Sequence, residues 1–201
     1  MGRPSKFDRA AAVEVAMTEI WKNGMAASSA KALSEKLAIT RSSFYNAFGN
    51  RDQLFGEVLA LYFRQSPDRA FADLGPDDRV LEILHDTLKE VCRVRAADPD
   101  ARGCMAVNCV AELVGTDPTL GPVMKGAING SIKGLENLLM QAVRNGEIEN
   151  PDDLRGTALA LQNLLIGLNL MSKVVRSEKD LWAATRLTLQ GLGLYQHSAT
   201  T

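Results

Sequence analysis

Cysteine is scarce in this 201-residue chain: three residues, at 92, 104 and 109. The count is odd, and the opening Met1-Gly-Arg-Pro-Ser-Lys carries charge where a secretory signal would be apolar. A disulfide framework is therefore not expected; free thiols in a reducing, cytoplasmic setting are. Histidine is scarcer still, with His85 and His197 alone. The cysteines lack zinc-ligand spacing, and no HExxH, Walker, Rossmann or nucleophile-elbow pattern occurs, so no metal or cofactor is expected. The sixth residue is Lys, which misses the myristoylation pattern. Long apolar runs are missing too. The longest, Leu164 to Met171, is broken by Gly167 and Asn169 and falls far short of the roughly 18 residues of a membrane span, so no membrane partner is expected. Strand-like alternation is absent over any useful length, which leaves an all-α chain.

A surplus of positive charge is also missing. The net charge is -1, which by itself argues against a strongly basic nucleic-acid binder. The charge is divided, however. Residues 1–64 hold nine Lys/Arg against six Asp/Glu, a net +3, and residues 65–201 hold fourteen against eighteen, a net -4. A mildly basic head on an acidic body suggests an anionic partner at one end.

What is present is helical periodicity. From Asp8, apolar residues fall at Val13, Ala16, Met17, Ile20 and Trp21, with Asp8 as N-cap and Gly24 as stop. A short helix follows Ser28, with Ala30, Leu33 and Leu37 inward. After Ala38-Ile39-Thr40 comes a second short helix carrying Phe44, Tyr45 and Phe48. A longer one, capped by Asn50, runs to Pro67. Residues 66–78 are turn-rich and read as a linker. Helical runs follow near 78–96, 102–114, 119–145, 152–176 and 178–195, for about nine helices in all. Residues 1–50 read as a three-helix head and residues 51–201 as a helical body entered through a connecting helix at 51–65.

Residues 28–48 have the proportions of a helix-turn-helix. A helix fits the DNA major groove, its first side chains reach base edges, and its free N–H groups favour phosphate oxygens. The ungapped run from Gly24 through Lys31, Leu33, Leu37-Ala38-Ile39-Thr40-Arg41-Ser-Ser-Phe44-Tyr45-Asn46-Ala-Phe48 to Arg51-Asp52-Gln-Leu54 resembles the TetR family of bacterial transcriptional regulators. Beyond the head, only the all-helical layout and total length match; the resemblance implies that residues 1–50 are the helix-turn-helix DNA-binding domain and residues 51–201 a helical ligand-binding and dimerisation domain.

The resemblance implies roles by position. Thr40, Arg41, Ser42 and Ser43 would open the recognition helix, with Arg41 the leading base reader through guanine. Tyr45 would meet phosphate, and Asn46 phosphate or a base. Ser28 and Arg51 would clamp the backbone, Lys31 would do either, and Arg3 in a basic arm would enter the minor groove. Ala38, Ser42 and Asn46 depart from the family's usual Gly, Gly and His. If position 38 is left-handed, Ala costs about 1 kcal/mol there. The resemblance further implies a ligand-responsive regulator, usually a repressor, that binds a palindromic operator as a homodimer and is released by a small-molecule inducer.

In the body, Leu161, Leu164, Leu165, Leu168 and Met171, with Trp182 and Leu189 on the last helix, form wide apolar faces. The resemblance implies a dimer interface on the last two helices, and these faces suit one, with an intramolecular core as the alternative. Cys104 follows Arg102-Gly103 at a helix start, where the dipole favours thiolate. It is either a reactive, pocket-lining thiol or a small buried hydrophobe. Gly103-Cys104 followed by Asn108 resembles a branch of the family in which some members sense electrophiles, so thiol-based electrophile or redox sensing is the alternative function. Cys92, Asn108, Gln162, Asn163 and Asn169 are further candidate ligand contacts, each also explicable as a satisfied core or interface group. Gly126, Gly130 and Gly134 share a helix face and point to close helix approach or to room for a ligand. A cysteine-dependent enzyme using Cys104 or Cys92 with His85 is the remote rival, and no catalytic residue is expected.

Overall fold

The computed structural model describes residues 8–195. Among these residues there are nine α-helices and no strand. The head comprises α1 (Arg9–Asn23), α2 (Ala30–Lys36) and α3 (Arg41–Phe48), followed by the long α4 (Arg51–Gln65). The body comprises α5 (Val80–Ala97), α6 (Met105–Leu113), α7 (Leu120–Arg144), α8 (Leu154–Met171) and α9 (Glu178–Gly191). The ends follow local chemistry. The Asp8 carboxylate accepts from Ala11 N at 3.1 Å and starts α1, which stops at Gly24 with φ 82°. Asn50 caps α4 by accepting from Gln53 N at 2.8 Å.

Two expected segments come out differently. The turn-rich stretch 66–78 is no free linker: Pro67–Phe71 forms a 3₁₀ turn, and Phe71 and Leu74 pack on the body's core. The α8 helix ends at Met171 instead of continuing to 176, so Val175 lies outside it. The following turn is held by Arg176, whose guanidinium donates to Ser172 O at 3.2 Å, Arg95 O at 3.3 Å and Ala96 O at 2.8 Å.

Two buried clusters form the interior. The first joins Ile20, Leu33, Phe44, Phe48, Leu54, Phe55 and Val58 of the head and α4 to Met105, Cys109, Leu113 and Met124 of α6 and α7. The second joins α5, the later part of α7, α8 and α9 through Leu84, Leu88, Leu138, Leu139, Leu161 and Leu189. Each fully buried Leu in these clusters contributes about 1.5–3 kcal/mol. Packing is therefore not divided at residue 50: the first core runs on through α4 into α6, which makes α6 the mechanical bridge between head and body. Leu161, Leu165, Leu168 and Leu189 are buried in the chain's own core, so they are not the surface of a dimer. Leu164 and Trp182 are half-buried against the same core, and Met171 is exposed.

Candidate nucleic-acid interface and ligand cleft

The turn between α2 and α3 is closed by Ala38 N donating to Glu35 O at 3.1 Å and Ile39 N donating to Ser34 O at 3.0 Å. Ala38 takes φ 53°, the left-handed conformation that usually favours Gly. Thr40 then caps α3, its hydroxyl accepting from Ser43 N at 3.1 Å. Phe44 and Phe48 are buried, which turns Arg41, Ser42, Ser43, Tyr45 and Asn46 outward. Tyr45 is 51% exposed, its ring edge-on to Phe44 at 5.7 Å. Lys31 is exposed on α2, 3.9 Å from Glu35. Among the described residues Arg41 makes no ion pair, so its guanidinium is available to a partner.

Three expected contacts stand differently. Ser28 does not open α2. It is 1% exposed and its hydroxyl donates to Gly24 O at 2.7 Å, while Ser29 caps the helix by accepting from Ala32 N at 3.1 Å. The adjacent serines made the cap ambiguous by one residue, and burial decided it. Arg51 is half-buried between Asp52 at 3.2 Å and Asp117 of the body at 3.7 Å, so a phosphate there would compete with two carboxylates. Arg3 lies outside the described residues.

The body has a cleft enclosed by α4, α6, α7 and α8. Cys104, Gln162 and Asn169 line it together with Tyr62, Ser131 and an apolar set that includes Met124 and Ile166. Ser131 Oγ donates to Gln162 Oε1 at 2.6 Å. The other proposed ligand contacts lie elsewhere. Cys92 is fully buried among leucines of the second core, 3.7 Å from Thr185 Oγ1. Asn108 faces an outer groove, donating to Arg102 O at 2.9 Å and accepting from Lys173 Nζ at 3.1 Å. Asn163 is exposed on α8 and does not line the cleft.

At the inner end of the cleft is a polar cluster that sequence reasoning missed. Tyr62 donates from its hydroxyl to Cys104 Sγ at 3.1 Å. Its oxygen accepts from Arg95 Nη2 at 2.9 Å and from Met105 N at 3.2 Å. Arg95 Nε donates to Asn169 Oδ1 at 2.7 Å. Burial, reinforced by the neighbouring Cys104, pushes the Tyr62 hydroxyl well above its ordinary pKa despite Arg95, so it remains a neutral donor. Burial raises the Cys92 thiol, and pushes Cys109 up to about 12. Tyr62 and Arg95 sat on helices whose apolar stripes had other obvious uses. No local signal marks a Tyr and an Arg, 33 residues apart, as partners.

The cleft is tied to the head. Trp21 Nε1 donates to Gly103 O at 3.1 Å, and the Arg102 guanidinium stacks 4.1 Å over the Trp21 ring. The Glu112 carboxylate on α6 accepts from Met25 N at 2.9 Å and Ala26 N at 2.5 Å, in the turn before α2. His85 does not approach Cys104. Its Nε2 lies 2.7 Å from Leu194 O and its ring packs on Tyr195. Among the described residues, no cluster of three or more His, Cys, Asp or Glu side chains could hold a metal ion, and no helix is long and apolar enough to cross a membrane.

Comparison with known proteins places this architecture. A profile for the tetracyclin repressor-like C-terminal domain matches residues 80–188, and one for bacterial regulatory proteins of the tetR family matches residues 12–58. The HTH-type transcriptional repressor ComR of Escherichia coli (strain K12) is 25% identical over 190 residues, covering 94% of this chain and 90% of its own. The repressor BdcR of the same organism is 34% identical over 108 residues, 53% of this chain and 54% of its own. A cysteine mutant of the TetR family regulator CifR, solved with 26-bp double-strand operator DNA, superposes with TM-score 0.78 at 27% identity, covering 94% of this chain and 98% of that one. From the helix-turn-helix through the body, this chain belongs to the tetR family of bacterial regulatory proteins, which are DNA-binding transcriptional regulators.

Proposed function

We propose that the protein is a ligand-responsive repressor that binds a palindromic operator as a homodimer and releases it when a small molecule occupies the cleft. The observation that carries this reading is the outer face of α3, where Arg41, Ser42, Ser43, Tyr45 and Asn46 are all exposed above a fixed Phe44–Phe48 base. That face suits the major groove, with Arg41 reading a base and Tyr45 holding phosphate. Lys31, Thr40 and Arg51 add backbone contacts, Arg51 exchanging Asp117 for phosphate. Repression as the sign is supported by the names of ComR and BdcR. For the dimer, the outward residues Leu159, Leu170, Met171 and Val174 of the α8 region and Leu187 of α9 offer an apolar face, with Val174 79% exposed. Two copies pairing there would present two α3 helices to successive half-sites.

Coupling follows from α6. Its start walls the cleft, and Glu112 near its end holds the turn before α2. A ligand that favours a shifted α6 would move the head, and it acts only by the difference in its affinity for the two states. Selection of duplexes from a random pool tests the reading. Arg41→Ala and Tyr45→Ala are expected to lower affinity for the selected duplex at least about tenfold each at fixed salt, with an unchanged helical circular-dichroism spectrum. Unchanged affinity in both variants would refute the assignment.

A second reading, thiol-based sensing at Cys104, is favoured by the Tyr62 hydroxyl bonded to its sulfur. All three thiols are buried, and Cys104 alone among them lines the cleft; the raised pKa values of Cys92 and Cys109 leave those two poor nucleophiles. Iodoacetamide labelling of native protein with mass mapping is expected to modify Cys104 first and to weaken duplex binding. If Cys104 stays unmodified while a ligand still releases DNA, the thiol reading is wrong.

A further inference from the structure

Arg95 is 4% exposed, yet among the described residues no carboxylate pairs with its guanidinium. Its described side-chain contacts are neutral: Asn169 Oδ1, the Tyr62 hydroxyl and the face of Trp21, 5.6 Å away. A buried cation with no directly paired carboxylate is costly; Asp68, the carboxylate that lines the cleft, makes no ion pair with it. A second feature has the same sign. The first turn of α6 has no side-chain cap, and Ala106 and Val107 of that turn line the cleft. Their N–H groups lie where a helix has no internal acceptors and where its dipole is positive.

Tyr62 connects the two. Its oxygen already accepts from Arg95 and from Met105 N, so its one proton must point away from both, and it points at Cys104 Sγ, a weak acceptor. A better acceptor than sulfur that enters the cleft beside Cys104 Sγ could take this bond without moving Tyr62. Beyond it the walls are apolar, with Met124, Ile128, Leu165 and Ile166.

We infer that the cleft takes a small organic anion: a carboxylate on a short apolar body. The carboxylate receives the Tyr62 hydroxyl bond at the start of α6, Arg95 supplies the balancing charge behind it, and the body of the ligand lies against Met124, Ile128 and Ile166. Asp68, which lines the cleft from the 3₁₀ turn, is a like charge that weakens entry. The inference rests on the reading of this cleft as the inducer site.

Matched pairs of probes test it on the full chain by calorimetry: hexanoate against hexanamide, and benzoate against benzamide. At least one acid is expected to bind about tenfold or more tighter than its amide at neutral pH, as charge-assisted bonds do. Asp68→Asn is expected to tighten the acid about two- to fivefold and leave the amide unchanged. Because Asp68 makes no hydrogen bond within the chain among the described residues, this variant should fold normally. Tyr62→Phe is expected to erase the preference. Binding of neither acid, equal affinity for acid and amide, or an Asp68→Asn effect shared by both overturns the inference. Affinity for the selected duplex is measured alongside. If acids fail while duplex binding holds, only the anion inference falls; if acids bind without weakening the duplex, the inducer reading falls and the anion site stands.

Discussion

Ala38 carries the turn of the helix-turn-helix in a left-handed conformation that costs an L-residue with a Cβ about 1 kcal/mol. The chain accepts that cost at the point where α2 and α3 are set relative to each other. Ala38→Gly is expected to raise stability by up to about 0.5 kcal/mol, the relief of strain being partly offset by the greater entropy of Gly in the unfolded chain. It would be read as a higher urea midpoint at constant m-value. The motif itself was legible, because Leu33, Phe44, Phe48 and Thr40 act through contacts within about twenty residues. The Ser28–Ser29 choice was not, since either serine can cap and only burial beneath Gly24 separates them.

At the scale of elements, α7 is the informative case. Gly126, Gly130 and Gly134 suggested close helix approach, but all three are exposed, and a Cβ at each meets nothing within 4 Å. They are therefore not packing devices inside this chain. Replacing all three by Ala is expected to stabilise the chain by up to about 1 kcal/mol per site, measured by thermal or urea unfolding. A loss of stability would mean that this face is covered in the assembled protein. The α8 helix teaches the complementary lesson. Its apolar residues occupy much of the circumference, and periodicity alone cannot say which stripe meets the chain's own core and which a second copy. Leu161, Leu165 and Leu168 took the inside, while Leu159 and Leu170 were left facing out.

For the molecule as a whole, the junction between head and body is polar and sensitive to acid. Burial alone would raise the Asp98 carboxyl, but Arg102, donating from its guanidinium at 3.0 Å and its backbone N–H at 2.8 Å, outweighs it and holds it below its ordinary value of 3.8. A lowered folded-state pKa gives stability that is complete above the unfolded value and is lost as pH falls through the folded one. Unfolding midpoints measured from about pH 5 to about pH 3 should therefore decline, and more shallowly in Asp98→Asn than in the parent. A slope unchanged by the substitution would remove Asp98 from the account. Arg102 also stacks on Trp21, so acid loosening is expected to reach α1.

Local chemistry in the sequence determined the helices, their caps, the helix-turn-helix and the divided charge that placed a basic head on an acidic body. Each rests on neighbours within a turn or two, or on a simple count along the chain. Tertiary structure alone decided which cysteine lines the cleft, which leucines are spent on the core, and that Arg95, Tyr62, Cys104 and Asn169 form one cluster from α5, α4, the start of α6 and α8. The physical reason is that charge balance and burial are properties of a place in space. Whether Arg95 has a carboxylate beside it depends on four segments meeting, and no periodicity along the chain records that.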